Sequence, residues 1–354
     1  RLQCLSIAWD RDRNEWFDLY PNQEIPPDDW LHWTRAAQNW NGMCAECHST
    51  NLKKGFDPAT KSYTTTWSEI DVSCEACHGP GSDHVAWAEI QPMARPEIEA
   101  YGLVVDTGSM TSPELVELCA PCHSRRSELG DYDHSSAALL QSHLPSLLDE
   151  GLYYADGQIL DEVYVWGSFT QSKMYANDVR CSDCHDSHSL KLKFEGNDLC
   201  LQCHRADAYD TPDHHFHKKI HEGKPSDGAL CVKCHMPEQP YMVIDERADH
   251  SLRVPRPDLS QTLGTPNACS QGGCHDDKPL KWSVDAFTRW YGQAKKPHLG
   301  PALAAGREGR PEAIGGLVRL AGNELYPAIV RASALSLRGR YQGEESAAAF
   351  GPAL

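Results

Sequence analysis

The sequence predicts a mainly α-helical chain with extensive irregular loops and few short strands, organised around something other than an ordinary side-chain core. Three observations predict it. Cysteine is frequent, 15 in 354 residues, and nearly all of it falls in close pairs. Apolar residues reach 40% and aromatics 8%, lean for a chain that must bury a sizeable core. The helix-opening signals that precede the pairs, such as Ser112-Pro113-Glu114 before Cys119, introduce short helices.

The pairs identify what replaces the core. Six read Cys-x-x-Cys-His: Cys44/Cys47/His48, Cys74/Cys77/His78, Cys119/Cys122/His123, Cys181/Cys184/His185, Cys200/Cys203/His204 and Cys231/Cys234/His235. A seventh, Cys269/Cys274/His275, has four residues between its cysteines, and Cys4 stands alone. Zinc ribbons and a disulfide scaffold also use paired cysteines, and the 15 residues between Cys184 and Cys200 suit zinc. Neither requires histidine directly after every pair. Covalent haem attachment does: two thiols add to the two vinyl groups on one porphyrin edge, and the adjacent histidine reaches the iron. The expected architecture is therefore a multihaem cytochrome c core organised around seven covalently bound haems. Gly272 and Gly273 give the long seventh motif the freedom to bulge and still serve the same edge.

Along the chain, LHWTRAAQNWNGM reads as a helix entering the first motif, carrying His32. ALLQSHLPSLL reads as helical up to Pro145, and the β-branched and aromatic content of ILDEVYVW (159–166) favours a short strand. RVPRPD (253–258) is an extended spacer, and Ser283 is placed to cap a helix running to about Lys295, stapled by Trp282 and Phe287. Beyond about residue 296 cysteine disappears, and 311–322 and 327–341 each read as a proline-opened helix. This divides the chain into a haem domain over 1–295 and an incomplete helical-repeat-like segment over 296–354.

Seven of the 18 histidines are proximal ligands, and the remaining 11 are enough to ligate every iron twice. His84, turned away from His78 by Gly79-Pro80-Gly81, and His188, three residues after His185, are placed to reach neighbouring haems. His250 and His32 are further distal candidates, as are His134 and His143. HHFHKKIH holds His214, His215, His217 and His221; at least one is expected to be a ligand, and His214, His215 and His221 are taken as the candidates. His298 reads as a surface residue, and Met236 and Met242 as packing. Arg125, Arg126, Lys191, Lys193 and Arg205 are placed to pair with propionates.

The formal charge of −17 argues against wrapping nucleic acid or binding anionic membranes, and no apolar run is long enough to span a bilayer. A ferric haem with ionised propionates carries one net negative charge, so seven oxidised haems take the total to about −24. Basic docking surfaces and a strong salt dependence follow. The chain begins Arg1-Leu2-Gln3-Cys4 without an initiator methionine or signal peptide, as a processed or truncated protein would.

NWNGMCAECHST, DVSCEACHGPGSDH, VRCSDCHDSHSL, LCVKCHMP and DHSLRVPRPD together resemble multihaem cytochromes of the cytochrome c554 type, in the wider group holding multihaem nitrite reductases and hydroxylamine oxidoreductases. The resemblance implies secretion, a further haem motif upstream (an eighth haem), and distal roles for His84, His188 and His250. The expected function is electron transfer outside the cytoplasm, periplasmic or extracellular, through closely spaced bis-histidine haems. Its partners are redox proteins or quinol-linked donors and acceptors, and copies of the chain themselves if it polymerises into an extracellular cytochrome filament. The alternative is an oxidoreductase acting on nitrite, hydroxylamine or a sulfur oxyanion at one open haem. No motif ends in lysine, the variant associated with nitrite reductase catalytic haems.

Overall fold

A computed structural model describes residues 1–130, 138–293 and 296–341. Every strand among them is two to four residues long and pairs with one other strand, so the sheet content is a series of two-stranded ladders. The described α-helices run from four to 12 residues. Such short elements bury little surface on their own, so their stability must come from what they pack against. This is the mainly helical and irregular architecture the sequence predicts.

The chain divides into two units: 1–144 with 242–245, and 145–241 with 246–354. The first opens on the hairpin Ile7–Asp10 and Glu15–Asp18, in register Ile7 to Asp18, with Trp9 and Trp16 edge to face at 5.2 Å. Its longest helix, Ser112–His123, carries the third motif and begins with a capping box between Thr111 and Glu114. The cap is thus Thr111, one residue before the expected Ser112. ALLQSHLPSLL is not a helix: a 3-10 turn spans Leu139–Gln141, and His143–Pro145 is extended.

The second unit holds the main hydrophobic cluster. Helices Gly300–Arg307, Ala313–Ala321 and Ala328–Arg338 contribute Leu303, Leu317, Leu320, Ile329, Val330 and Leu337, and Leu148, Tyr153, Ile159 and Val163 pack into the same cluster. Gly306 permits the approach, since a Cβ there would stand 3.1 Å from the Leu317 methyls. Arg307 donates to the carbonyls of Leu148 (2.8 Å) and Tyr153 (2.9 Å), and the Leu148 amide donates to Ser333 Oγ at 3.0 Å. The expected boundary at 295/296 is therefore corrected. The C-terminal helices are not an appendage; they share one core with residues 148–163.

Two further expectations change. Residues 159–166 make no strand: Ile159 forms one isolated bridge with Tyr153, and Tyr164 adopts a left-handed φ of 59°, which ends any extended run. The amides of Val163 and Tyr164 donate instead to the Tyr241 hydroxyl, at 2.6 and 2.7 Å. The helix expected from Ser283 starts earlier, at Leu280 after Pro279, with Ser283 buried inside it, and it ends at Tyr291, short of the expected Lys295, where Gly292 takes a φ of 77°.

Candidate haem site

In the standard motifs the chain turns so that the histidine amide donates to the carbonyl of the first cysteine. The bond joins His48 to Cys44 at 3.1 Å, His78 to Cys74 and His204 to Cys200 at 3.0 Å, and His185 to Cys181. The third and sixth motifs lie within helices Ser112–His123 and Cys231–His235. The long seventh motif keeps the same closure, His275 N to Cys269 O at 3.0 Å. Gly272 and Gly273 absorb the extra residues, at φ of 62° and 74°.

Thiols of different motifs meet. In the first unit Cys47 hydrogen-bonds Cys122, and Cys4, the cysteine without a motif, lies with its Sγ 3.8 Å from that of Cys44. Burial and that neighbour push the Cys44 thiol up to about 12. In the second unit Cys184 lies near Cys200 and Cys203, Cys200 lies beside Cys231, and Cys234 faces Cys269 and Cys274. The four motifs of this unit thus follow one another in space as in sequence, whereas in the first unit the first and third are neighbours.

Among the described residues, three motif histidines each face a histidine from elsewhere in the chain. His185 and His250 have ring centroids 6.2 Å apart and 26° between planes; His235 and His214, 6.3 Å and 10°; His275 and His217, 6.1 Å and 34°. A metal–imidazole bond of about 2 Å, with about 1 Å more from nitrogen to ring centre, puts two rings across one metal at about 6 Å. Distance alone is not the signature, since His32 and Trp33, chain neighbours, are also 6.2 Å apart. What marks these pairs is that each joins a motif histidine to a distant one.

Hydrogen bonds orient the rings. A carbonyl only accepts, so a ring nitrogen bonded to one must carry the proton, leaving the other nitrogen for metal. Nδ1 donates to a backbone carbonyl in His235 (Arg253 O, 2.9 Å), His250 (Ala248 O, 2.8 Å), His217 (His215 O, 2.5 Å) and His84 (Tyr101 O, 2.8 Å). Burial holds His185 and His214 below the ordinary imidazole value, toward the neutral form that binds metal. His215 Nε2 is buried without a hydrogen-bond partner, and a bond to metal would satisfy it.

Residues 30–79 match the family model described as Cytochrome c554 and c-prime, and residues 174–209 that of the Doubled CXXCH motif. Among solved structures, Outer Cell Wall Cytochrome OcwA aligns with 98% of this chain and 81% of its own, at 17% identity and a TM-score of 0.53. The attachment motifs and the fold are those of multihaem c-type cytochromes. An undecaheme cytochrome from the S-layer of Carboxydothermus ferrireducens aligns with 97% of this chain and 56% of its own, at 17% identity and a TM-score of 0.39. No curated protein matches the sequence. Among the described residues, no helix is long and apolar enough to cross a membrane.

The other expected ligands are placed less decisively. His32 Nδ1 pairs with Thr34 Oγ1 at 2.9 Å. His188 sits exposed on the turn after His185, and His221 is exposed with Nε2 3.9 Å from Glu222. His134 lies outside the described residues. His143 is fully buried, where Nδ1 pairs with Ser142 Oγ at 2.9 Å and Nε2 with Glu46 Oε1 at 2.6 Å. Glu46 also holds Arg126 at 3.0 Å, and Lys54 bridges to Glu128. This buried cluster ties the first motif, which contains Glu46, to the stretch following the third. It also accounts for Arg126, expected on a propionate; Arg205 likewise pairs with its neighbour Asp207. Sequence reasoning left His217 off its candidates, although it lay in the stretch singled out.

His298, expected at the surface, is enclosed with Asp156, Arg253, Arg256 and Asp258 facing it, and its Nδ1 accepts from Gly300 N at 3.1 Å. Burial lowers it from 6.5 to about 4. An unfolded chain therefore takes up this proton first as pH falls. The stabilisation is complete above about 6.5 and is lost on descending toward 4, roughly 3 kcal/mol at most. His298→Asn keeps an acceptor for Gly300 and removes the titration. Denaturant unfolding at pH 7 and pH 4.5 should show a smaller acid loss in the variant than in the parent.

Proposed function

We propose that this cytochrome is an electron carrier acting outside the cytoplasm, with seven c-type haems attached through its seven motifs and ligated by histidine on both faces. The observation that carries the reading is the set of three ring pairs, His185/His250, His235/His214 and His275/His217, each with the spacing of two imidazoles across one metal. When bound, haem supplies reversible one-electron chemistry whose potential is set by axial ligands, burial and hydrogen bonds. The chain's own residues fix the rings: carbonyls of Arg253, Ala248 and His215 hold Nδ1, so Nε2 faces the iron. His84, held the same way by Tyr101, is the best-oriented distal candidate in the first unit.

The meeting of thiols from successive motifs supports close spacing, because each sulfur joins the porphyrin rim through a single carbon. In this reading electrons move along the second unit in the order of its motifs. Attachment to paired thiols and the outer-cell-wall setting of OcwA support work beyond the cytoplasm. The negative charge suits basic redox partners, and growth into a filament extends the same reading to contacts between copies.

Haem counting by mass together with spin-state spectroscopy of the purified protein tests it. Seven haems, all low-spin, are expected. A high-spin haem accompanied by turnover of nitrite, hydroxylamine or a sulfur oxyanion would replace the carrier with an enzyme. Imaging that finds only dispersed monomers would exclude the filament.

A further inference from the structure

We infer that Gly228 is a positioning residue for a haem ligand: the absence of a side chain there is what allows the His217 ring to stand opposite His275. The inference rests on the bis-histidine reading and goes beyond it, because Gly228 belongs to no attachment motif and neither binds nor faces a metal itself.

Gly228 lies in the 3-10 turn Asp227–Ala229, just before Leu230 leads into the sixth motif. Its φ is not among the positive ones, so glycine is not required here by backbone conformation. Space requires it. A Cβ built on Gly228 would come 2.8 Å from Cγ of His217 and 3.0 Å from its Nε2. Side-chain carbons do not tolerate such separations, so the ring or the turn would have to move.

A free imidazole could rotate aside at little cost. His217 has little such freedom. Its Nδ1 is held by the His215 carbonyl at 2.5 Å, and its ring lies 6.1 Å from that of His275. The preceding residue, Phe216, takes a left-handed φ of 56° and stacks on Trp290 at 4.6 Å with 2° between planes. For a bulky residue that conformation is costly, and it persists only where surrounding packing imposes it. The bend separates His214, which faces His235, from His217, which faces His275. Gly228 closes the other side of the His217 ring. A turn attached to the sixth motif thus sets the ligand of the seventh.

The test compares Gly228→Ala, His217→Ala and the double variant, with Gly315→Ala in an unrelated helix as control, all as holoproteins. Haem mass should be unchanged throughout. His217→Ala and Gly228→Ala should each convert one haem to high-spin, about one-seventh of the total signal. The control should stay low-spin. Because the clash is with the ring, adding Gly228→Ala to His217→Ala should bring no further loss of thermal stability. If Gly228→Ala folds poorly, that cycle of stabilities still decides. A fully low-spin Gly228→Ala beside a high-spin His217→Ala would overturn the positioning role alone. An equal stability loss with and without the His217 ring would do the same. A fully low-spin His217→Ala would instead remove the axial assignment on which the inference stands.

Discussion

Replacing His250 by alanine should turn the iron held by His185 from low-spin to high-spin while leaving the haem mass unchanged. Attachment depends on Cys181 and Cys184, which the substitution does not touch. Ligation depends on the ring 6.2 Å from His185, and no side chain as short as alanine spans that gap. The affected fraction should be about one-seventh of the haem signal, and that iron should newly bind added imidazole, restoring the low-spin spectrum. His221→Ala is the informative contrast, because its exposed ring lies beside Glu222 and its loss should leave the spectrum unchanged. Magnetic circular dichroism or electron paramagnetic resonance reads both outcomes. A wild-type spectrum for His250→Ala would dissolve the pairing.

The second large effect concerns the end of the chain. Stopping it at residue 295 removes the helices that cover Leu148, Tyr153, Ile159 and Val163, together with the Arg307 bonds to Leu148 and Tyr153. Each large apolar side chain loses up to about 1.5–3 kcal/mol of burial, so the four together are comparable to the margin of about 5–15 kcal/mol by which domains are stable. The truncated protein should be cleaved between residues 145 and 170 by a protease that leaves the full chain intact there. Equal resistance in the two proteins would restore the division at 295/296. A milder form is Leu317→Ala, a fully buried side chain whose loss should cost about 2–5 kcal/mol in a denaturant titration.

How much of this could be read beforehand follows from the range over which each feature is determined. Haem attachment is local: two thiols and a histidine within a few residues, so the motifs, and even the glycines that accommodate the long one, were legible. The helices over Ala313–Ala321 and Ala328–Arg338 were legible too, because apolar side chains recur on one face of each. Distal ligation is set by tertiary packing. His217 and His221 look alike in the sequence; what separates them is a left-handed Phe216 and a gap left by Gly228, neither visible as a pattern. The surroundings of His143 are hidden for the same reason, since Glu46, which meets its Nε2, lies 97 residues away. The domain boundary failed differently. Loss of cysteine marks where haem attachment stops, not where a hydrophobic core does. Residues 159–166 had strand-forming composition, but Tyr164 and the Tyr241 hydroxyl took the backbone elsewhere.

The closure of the seventh motif bears on how cofactor inventories are drawn from genomes. A search keyed to one fixed interval between thiols would score this chain as a six-centre protein, because the gap between Cys269 and Cys274 is four residues. Yet the His275 amide returns to the Cys269 carbonyl as its counterparts do in the shorter versions. What the geometry preserves is the pair of ends, and the intervening length is free to drift wherever glycine is available to take up the slack. Counts that tolerate such drift would assign more redox centres to chains of this kind than a rigid text pattern does.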